Sequence, residues 1–332
     1  MNDEAIEKAA AVLGDRARRD VPLGPLTTYG VGGPAALFLE RCGPDDLALA
    51  RQAVAASGIP VLIVGRGSNL LVADAGFPGL ALTLGDDFTA IHREGTDTLV
   101  RAGGGLSLPV LARRTAALGL RGLEWAVGVP GTVGGGVRMN AGGHGSDLAA
   151  TLTRAWLFDL GPERPPEREA RAGPERPPER DARASGAVEV PATDLELGYR
   201  RSAVGPTQVV VAAEFALVPG DRAEAESEIA AVVRWRREHQ PGGSNAGSVF
   251  ANPPGDSAGR LIEAAGLKGQ RRASAFVSPK HANFFQVDAG GSADDLWALI
   301  EEVRTTVEHR FGIVLTLENR LIGFESSPSS GG

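Results

Sequence analysis

Eight of the eighteen residues in the stretch GVPGTVGGGVRMNAGGHG (128–145) are glycine, and that density constrains the chain more than any other feature. Glycine loses the most conformational freedom on folding and brings no side chain to a core, so the segment is predicted to form no regular structure. Its use lies elsewhere: without Cβ atoms, backbone N–H groups can approach an anion closely. Two shorter turns share this character, GRGSN (65–69) and NAGS (245–248). Ser68 and Asn69 add neutral donors, which suits a pyrophosphate held by main chain instead of lysine. Taken singly, each of the three reads more readily as an ordinary turn than as a ligand loop.

The usual nucleotide and hydrolase patterns fail. The stretch SNAGSVFANPPGDSAG lacks the lysine and Ser/Thr that a phosphate loop needs after its last glycine. GVGGPA (30–35) fits the dinucleotide fingerprint in letters, but it precedes a strand instead of opening a helix. No G-x-S-x-G elbow surrounds Ser248, and no histidine stands at ligand spacing from Cys or Glu, so no metal is expected. The single cysteine, Cys42, excludes a disulfide framework and is read as a buried thiol in a cytoplasmic protein. A net charge of -7 argues against a nucleic-acid surface. No apolar run of about 18 residues suggests a membrane segment, and the acidic start MNDEAIEK is unlike a signal peptide. Lysines occur only at 8, 268 and 280, so arginine is the default cation here and each must be judged by its context.

With 332 residues, 42% of them hydrophobic, the chain can build two or three domains. AALFLE, PDDLALARQAVAASG and IPVLIVG read as strand, helix ended by Gly58, and buried strand. TLVRAGGG reads as strand and turn, and SLPVLARRTAALG as a helix with Ser107 at its N-cap. Residues 161–184 repeat a twelve-residue unit, GPERPPEREARA then GPERPPERDARA. The acids and arginines cancel and no large apolar residue is present, so 161–187 is read as a disordered insertion between strands RAWLFDL and AVEVPATDLEL. Beyond 220, RAEAESEIAAVVRWRREHQ and GRLIEAAG read as helices and NFFQV as a strand. SADDLWALIEEVRTTVEHRFG is a long helix capped by Ser292 and stopped by Gly312. IVLTLENRLIGF alternates as a strand. The division expected is an N-terminal helix (1–20), a module of two subdomains (21–85 and 86–218), a third domain (219–325) and a tail (326–332).

In order along the chain stand TTYGVGGPA, GRGSNLLV, GVPGTVGGGVRMNAGGHG, LGYRRS, NAGSVFANP, EAAGLKG, SPKHANFF and LENRLIG. This series resembles the UDP-N-acetylenolpyruvoylglucosamine reductase (MurB) family from about Leu23 to Gly323. The resemblance implies an α+β fold: a two-subdomain FAD-binding module of the vanillyl-alcohol-oxidase-like (PCMH-type) kind, followed by a C-terminal α+β domain for a UDP-sugar. It implies non-covalent FAD, NADPH as hydride donor, and reduction of an enolpyruvyl group, with hydride delivered to C3 and a proton to C2. A monomer is expected, with a small-molecule UDP-sugar as its partner.

Carried over residue by residue, the resemblance makes Ser248 the proton donor to C2. Arg200 of LGYRRS becomes the cation facing the substrate carboxylate, with Arg201 its neighbouring rival, and Glu318 assists near the same carboxylate. A serine is a weak acid, so its role depends on reach to a strongly basic carbon. For the cofactor the resemblance implies Gly65, Gly67, Ser68, Asn69, Leu70, Gly131, Thr132, Gly134, Gly135, Asn140 and Gly142. Tyr199, Gln240, Asn252, Lys268, His281 and Asn283 are implied for the substrate. Three positions depart from the family pattern: Ala251 where lysine is common, His144 where an aromatic is common, and Gly136 where alanine is common. Two alternatives remain, an oxidase of the same flavin fold and a non-catalytic nucleotide-binding protein.

Overall fold

The computed structural model describes residues 3–94, 98–161 and 186–324. The repeat read as a disordered insertion, apart from its end residues, and the tail 326–332 lie outside the described residues. Two compact units result, and neither follows the order of the chain. The first comprises Met1–Arg18, Leu37–Gly65 and Gly79–Val232; the second comprises Arg19–Ala36, Arg66–Pro78 and Val233–Gly332.

In the first unit, helices α1 (Asp3–Leu13) and α2 (Pro44–Ser57) pack against each other. Pro44 opens α2, and Gly58 ends it in the left-handed region at φ 66°, as predicted. Leu13, Leu47 and Ala50 join Leu37, Leu39, Leu80 and Phe158 in one buried cluster, which also takes in Cys42. The strand Val61–Ile63 runs parallel to Phe77–Leu84 in a small sheet. A larger antiparallel sheet has the strand order Val188–Pro191, Leu152–Asp159, Gln208–Ala216, Leu99–Gly103, Ile91–Glu94. Its central strand, Gln208–Ala216, is buried over most of its length. The expected strand AVEVPATDLEL survives only as Val188–Pro191, because Ala192–Leu195 closes into a 3₁₀ turn. Ser107 does precede α3 (Leu108–Ala117), but its side chain makes no capping bond.

The clearest correction falls on the glycine stretch, where Val133–Met139 forms a helix, α4. Three glycines in it cost about 3 kcal/mol of helix propensity relative to alanine. A Thr132 N-cap accepting from Gly135 N–H contributes about 1 kcal/mol. Val133 and Val137, both fully buried, contribute roughly 1.5–3 kcal/mol each. Packing therefore outweighs propensity. It also explains the glycines: a Cβ on Gly134 would stand 3.0 Å from the Gly104 carbonyl oxygen and 3.1 Å from that of Val210.

The second unit carries the C-terminal end of α5 (Arg222–His239), which begins in the first unit, then α6 (Ala258–Ala264) and α7 (Ala293–Phe311). A three-stranded antiparallel sheet, Arg271–Arg272, Ala275–Val277, Phe285–Val287, packs against α7. That helix matches its sequence pattern. Ser292 accepts from the N–H groups of Asp294 and Asp295, Gly312 ends it at φ 68°, and Leu296, Leu299, Ile300, Val303 and Val307 are buried. IVLTLENRLIGF is not one strand, because it changes partners midway. Ala251 N–H donates to Thr316 O at 2.8 Å and Glu318 N–H to Val249 O at 2.8 Å. From Arg320 to Ile322 the chain instead pairs in parallel with Leu70–Val72.

Gly134 meets main-chain oxygens, whereas a Cβ on Gly136 would meet only the side-chain tips of Leu148 (2.9 Å) and Leu108 (3.1 Å). Gly134→Ala is expected to lower Tm by several degrees, from roughly 1–3 kcal/mol of overpacking at about 2–4 °C per kcal/mol. Gly136→Ala gains helix propensity against a movable neighbour and should cost clearly less. Thermal unfolding of the two variants checks this, and the reverse order contradicts it.

Candidate active site

In the second unit, the turn before Ser248 is built by Asn245. Its side-chain oxygen accepts from Gly247 N–H at 3.1 Å, and its Nδ2 donates to Gly243 O at 3.1 Å. Gly247 takes φ 77°, a value that favours glycine. NAGS is thus an Asx turn, and its polar side chain serves the turn itself. Ser248 then bridges to Phe284, and Val249 N–H donates to Asn283 O at 2.9 Å. Half-buried Ser248 keeps its hydroxyl free of hydrogen bonds to any described residue. On the other side, the Glu318 N–H to Val249 O bond sets half-buried Glu318 on the strand next to Ser248.

Around this pair lies a set of asparagines. Asn69 Nδ2 donates to Glu318 O at 3.1 Å, Asn319 Nδ2 donates to Asn69 Oδ1 at 3.1 Å, and Arg320 N–H donates to Asn69 O at 2.9 Å. Tyr29 Oη donates to Asn319 Oδ1 at 3.0 Å and accepts from Ala246 N–H. The sequence expectation put Asn69 on the cofactor; the structure engages its side chain with Glu318 and Asn319. Asn283, expected to hold substrate, is buried and bonds Phe250 in both directions, Nδ2 to Phe250 O at 2.7 Å and Phe250 N–H to Oδ1 at 3.0 Å. Its geometry is that of a positioning residue for the strand that carries Ser248.

The other substrate candidates of this unit are more accessible. Asn252 is exposed, and its Oδ1 takes Ala258 N–H at the start of α6. Gln240 accepts from Arg236 Nε at 2.7 Å, and Lys268 pairs with Glu263 at 2.8 Å. Ala251, where lysine was expected, is half-buried and contributes its main chain to Thr316. His281 accepts from Asn283 N–H through Nδ1 at 3.2 Å and meets the Phe284 ring edge-on at 4.8 Å.

Arg200 belongs to the first unit, with φ 55° in the left-handed region that a long side chain avoids. Its guanidinium donates to Gly142 O at 3.1 Å and lies 5.2 Å from the ring of Tyr199, which is 66% exposed. The surrounding loop is pinned. Arg138 donates to the carbonyls of Val204 and Gly205, and Ser202 Oγ donates to Arg138 O at 2.7 Å. Asn140, expected to touch the cofactor, is buried, donates to Asp147 and Gly198 O, and accepts from Ala149 N–H. It holds the loop that carries Arg200. Arg201 is exposed, with its side chain folded over Gly198, so Arg200 is the arginine that the fold anchors.

Several cofactor candidates are brought together within each unit. In the first, a Cβ on Gly65 would stand 2.7 Å from Thr132 Oγ1, which joins the two glycine turns. The N–H groups of Val133 and Gly134 donate to Leu106 O and Gly104 O, and Gly135 N–H serves Thr132. Beyond Gly131, then, the start of α4 offers few open donors. In the second unit, Gly67 has φ 59° and lies so close to Leu26 that a Cβ would stand 2.1 Å from its carbonyl oxygen. Leu70 opens the strand that pairs with Arg320. Ser68 bonds to no described residue, and the buried Thr28 hydroxyl also has no partner, although Thr28 N–H donates to Gly67 O at 3.2 Å. Uncommitted neutral hydroxyls beside a glycine turn fit a pyrophosphate, and FAD carries one. Tyr29, Asn319, Arg138 and Thr28 were missed by sequence reasoning. Tyr29, Asn319 and Arg138 lie inside the recognised blocks TTYGVGGPA, LENRLIG and GVPGTVGGGVRMNAGGHG, as does Thr28, which is the only signal that could have found them.

The fold and these turns match those of flavoproteins with an FAD-binding domain: a family described as FAD binding domain matches residues 42–157. A second family, described as UDP-N-acetylenolpyruvoylglucosamine reductase, C-terminal domain, matches residues 239–322. The UDP-N-acetylenolpyruvoylglucosamine reductase of Chloroflexus aggregans is 39% identical over 92% of this chain and 97% of its own length. That of Rubrobacter xylanophilus is 40% identical over 92% of this chain and 95% of its own. The crystal structure of UDP-N-acetylenolpyruvylglucosamine reductase (MurB) from Thermus caldophilus is 32% identical, with a TM-score of 0.73 over 92% of this chain and 99% of that one. The chain belongs to the UDP-N-acetylenolpyruvoylglucosamine reductase family, and the α+β flavin fold implied by its sequence blocks is borne out. Among the described residues, no helix is long and apolar enough to cross a membrane.

Burial lowers the pKa of His281 below its ordinary 6.5, and Nδ1 must be unprotonated to accept from Asn283. The folded state therefore binds this proton less tightly than the unfolded chain. The contribution of His281 to stability is complete above pH 6.5 and declines as pH falls below it. Tm measured from pH 7.5 down to 5.5 should drop less in His281→Gln than in the parent; equal drops contradict the assignment.

Proposed function

We propose that this chain reduces UDP-N-acetylglucosamine enolpyruvate to UDP-N-acetylmuramate, with NADPH as the reductant, in peptidoglycan precursor synthesis. The observation that carries this reading is the main-chain pairing of the Ser248 strand with the segment that carries Glu318, with the serine hydroxyl uncommitted to any described residue, in a chain of this family. Non-covalently bound FAD, held by Gly65, Gly67, Ser68, Gly131 and Thr132 with Thr28 added, would supply the two-electron relay between NADPH and the alkene. The alkene gains a hydride at C3 and a proton at C2, and NADPH becomes NADP⁺.

The chain's own residues manage charge and protons. Ser248 Oγ gives the proton to C2 and recovers one from solvent. Serine is competent only where a strongly basic carbon arises within hydrogen-bond reach, so its rigid placement matters more than its acidity. Arg200, permanently charged and held by Gly142, faces the substrate carboxylate as negative charge builds beside it. Glu318 acts on the same carboxylate. Tyr199, Gln240, Asn252, Lys268 and His281 are the proposed UDP-sugar contacts, while Asn283, Asn140 and Asn69 serve as braces. The first unit is read as carrying most of the flavin module and the second as carrying the substrate domain. The protein is read as a cytoplasmic monomer, in keeping with a small diffusible substrate.

Separating the two half-reactions tests the proposal. The purified protein should be yellow, and NADPH should bleach it. Ser248→Ala should bleach at close to the parent rate, yet its reoxidation by the enolpyruvyl substrate should slow by roughly 10²-fold or more. Unchanged reoxidation in stopped-flow absorbance would remove Ser248 as the acid. A colourless parent that gains no flavin would remove the whole reading.

A further inference from the structure

The asparagine–tyrosine set around Glu318 is not needed for the catalytic reading, yet it closes a circuit through both of its second-unit members. Starting from Ala246, the main-chain N–H donates to Tyr29 Oη, and Tyr29 donates to Asn319 Oδ1 at 3.0 Å. Asn319 follows Glu318 in the chain, Glu318 N–H donates to Val249 O at 2.8 Å, and Val249 follows Ser248. Three chain steps lead back to Ala246. Asn69 braces the circuit from outside, holding Glu318 O and Asn319 with the two ends of one amide, at 3.1 Å each. Its main-chain oxygen takes Arg320 N–H at 2.9 Å.

We infer that Tyr29, Asn319 and Asn69 are positioning residues that fix the Ser248 hydroxyl relative to the Glu318 carboxylate. They also tie both to the Gly67–Ser68–Asn69 turn. This inference rests on the proposed roles of Ser248 and Glu318.

Three features support it. Tyr29 and Asn319 are deeply buried, at 1% and 5% exposure, and Asn69 is half-buried, so the polar groups of the first two depend on their partners and cannot exchange them for water. Desolvation raises the Tyr29 pKa, which keeps the phenol a donor across the working pH range. The tyrosine also joins the hydrophobic cluster that includes Val249, Phe250 and Phe285, so its ring is fixed before its hydroxyl is used. A serine that must reach a carbon centre tolerates little displacement, since an error of about 1 Å can cost on the order of 10²-fold in rate.

Tyr29→Phe removes one oxygen and keeps the ring packing. In the flavin-loaded variant, reduction by NADPH should stay within about twofold of the parent. The limiting rate of reoxidation by substrate should fall roughly tenfold or more, with the substrate dissociation constant little changed. Asn69→Ala, which releases the brace while leaving the Tyr29 bond, should slow the same step. A purely structural role predicts something else: a lower Tm, with the reoxidation rate unchanged at temperatures where the variant is folded. That result, or equal slowing of both half-reactions, overturns the inference. Combining Tyr29→Phe with Ser248→Ala should add little to Ser248→Ala alone, whereas full additivity also overturns it. A parent protein that fails to turn over the enolpyruvyl UDP-sugar would instead indict the proposed function, and the two failures are separately visible.

Discussion

The hydrogen bond from Glu318 N–H to Val249 O, 2.8 Å long, is the constraint on which the second unit depends. It holds the returning C-terminal segment beside the serine strand for a few residues, after which that segment leaves to pair with Leu70–Val72. Because the segment changes partners at this point, Glu318 stands where two pairings meet. A continuous strand would have alternated its side chains uniformly between two faces. The junction lets Asn319 turn inward to Tyr29 while half-buried Glu318 keeps its neighbourhood with Ser248.

The first unit applies the same economy to Arg200. Its strained backbone at φ 55° persists only because the loop is overdetermined, by Arg138 on Val204 and Gly205 and by Asn140 on Gly198. In both units, then, side chains near the glycine turns act as braces for the residues proposed to do chemistry. Rigid placement is what a weak acid and a fixed cation require.

How far the sequence reveals this depends on the range of the interaction. Helix α7 was legible because its signals are local: Ser292 at one end, Gly312 at the other and apolar residues at helical spacing between. Helix α4 was not legible, because its glycines read as breakers, and the reason for them is close approach to Gly104 and Val210, which no local pattern encodes. The catalytic candidates were found through the family blocks and not through their own spacing. The asparagines were the hardest to read. An asparagine beside a glycine turn can bind a ligand or brace a loop, and Asn69 acts on Glu318 across 249 residues of chain. Only the fold distinguishes the two uses.

If Ser248 and Glu318 work as one unit, their substitutions must interact. The rate of flavin reoxidation by the enolpyruvyl UDP-sugar in Ser248→Ala, Glu318→Gln and the double variant measures that interaction directly. The account predicts a double variant scarcely slower than the slower single one. A double variant whose slowing equals the product of the two single effects would show that the residues act independently, and would contradict it.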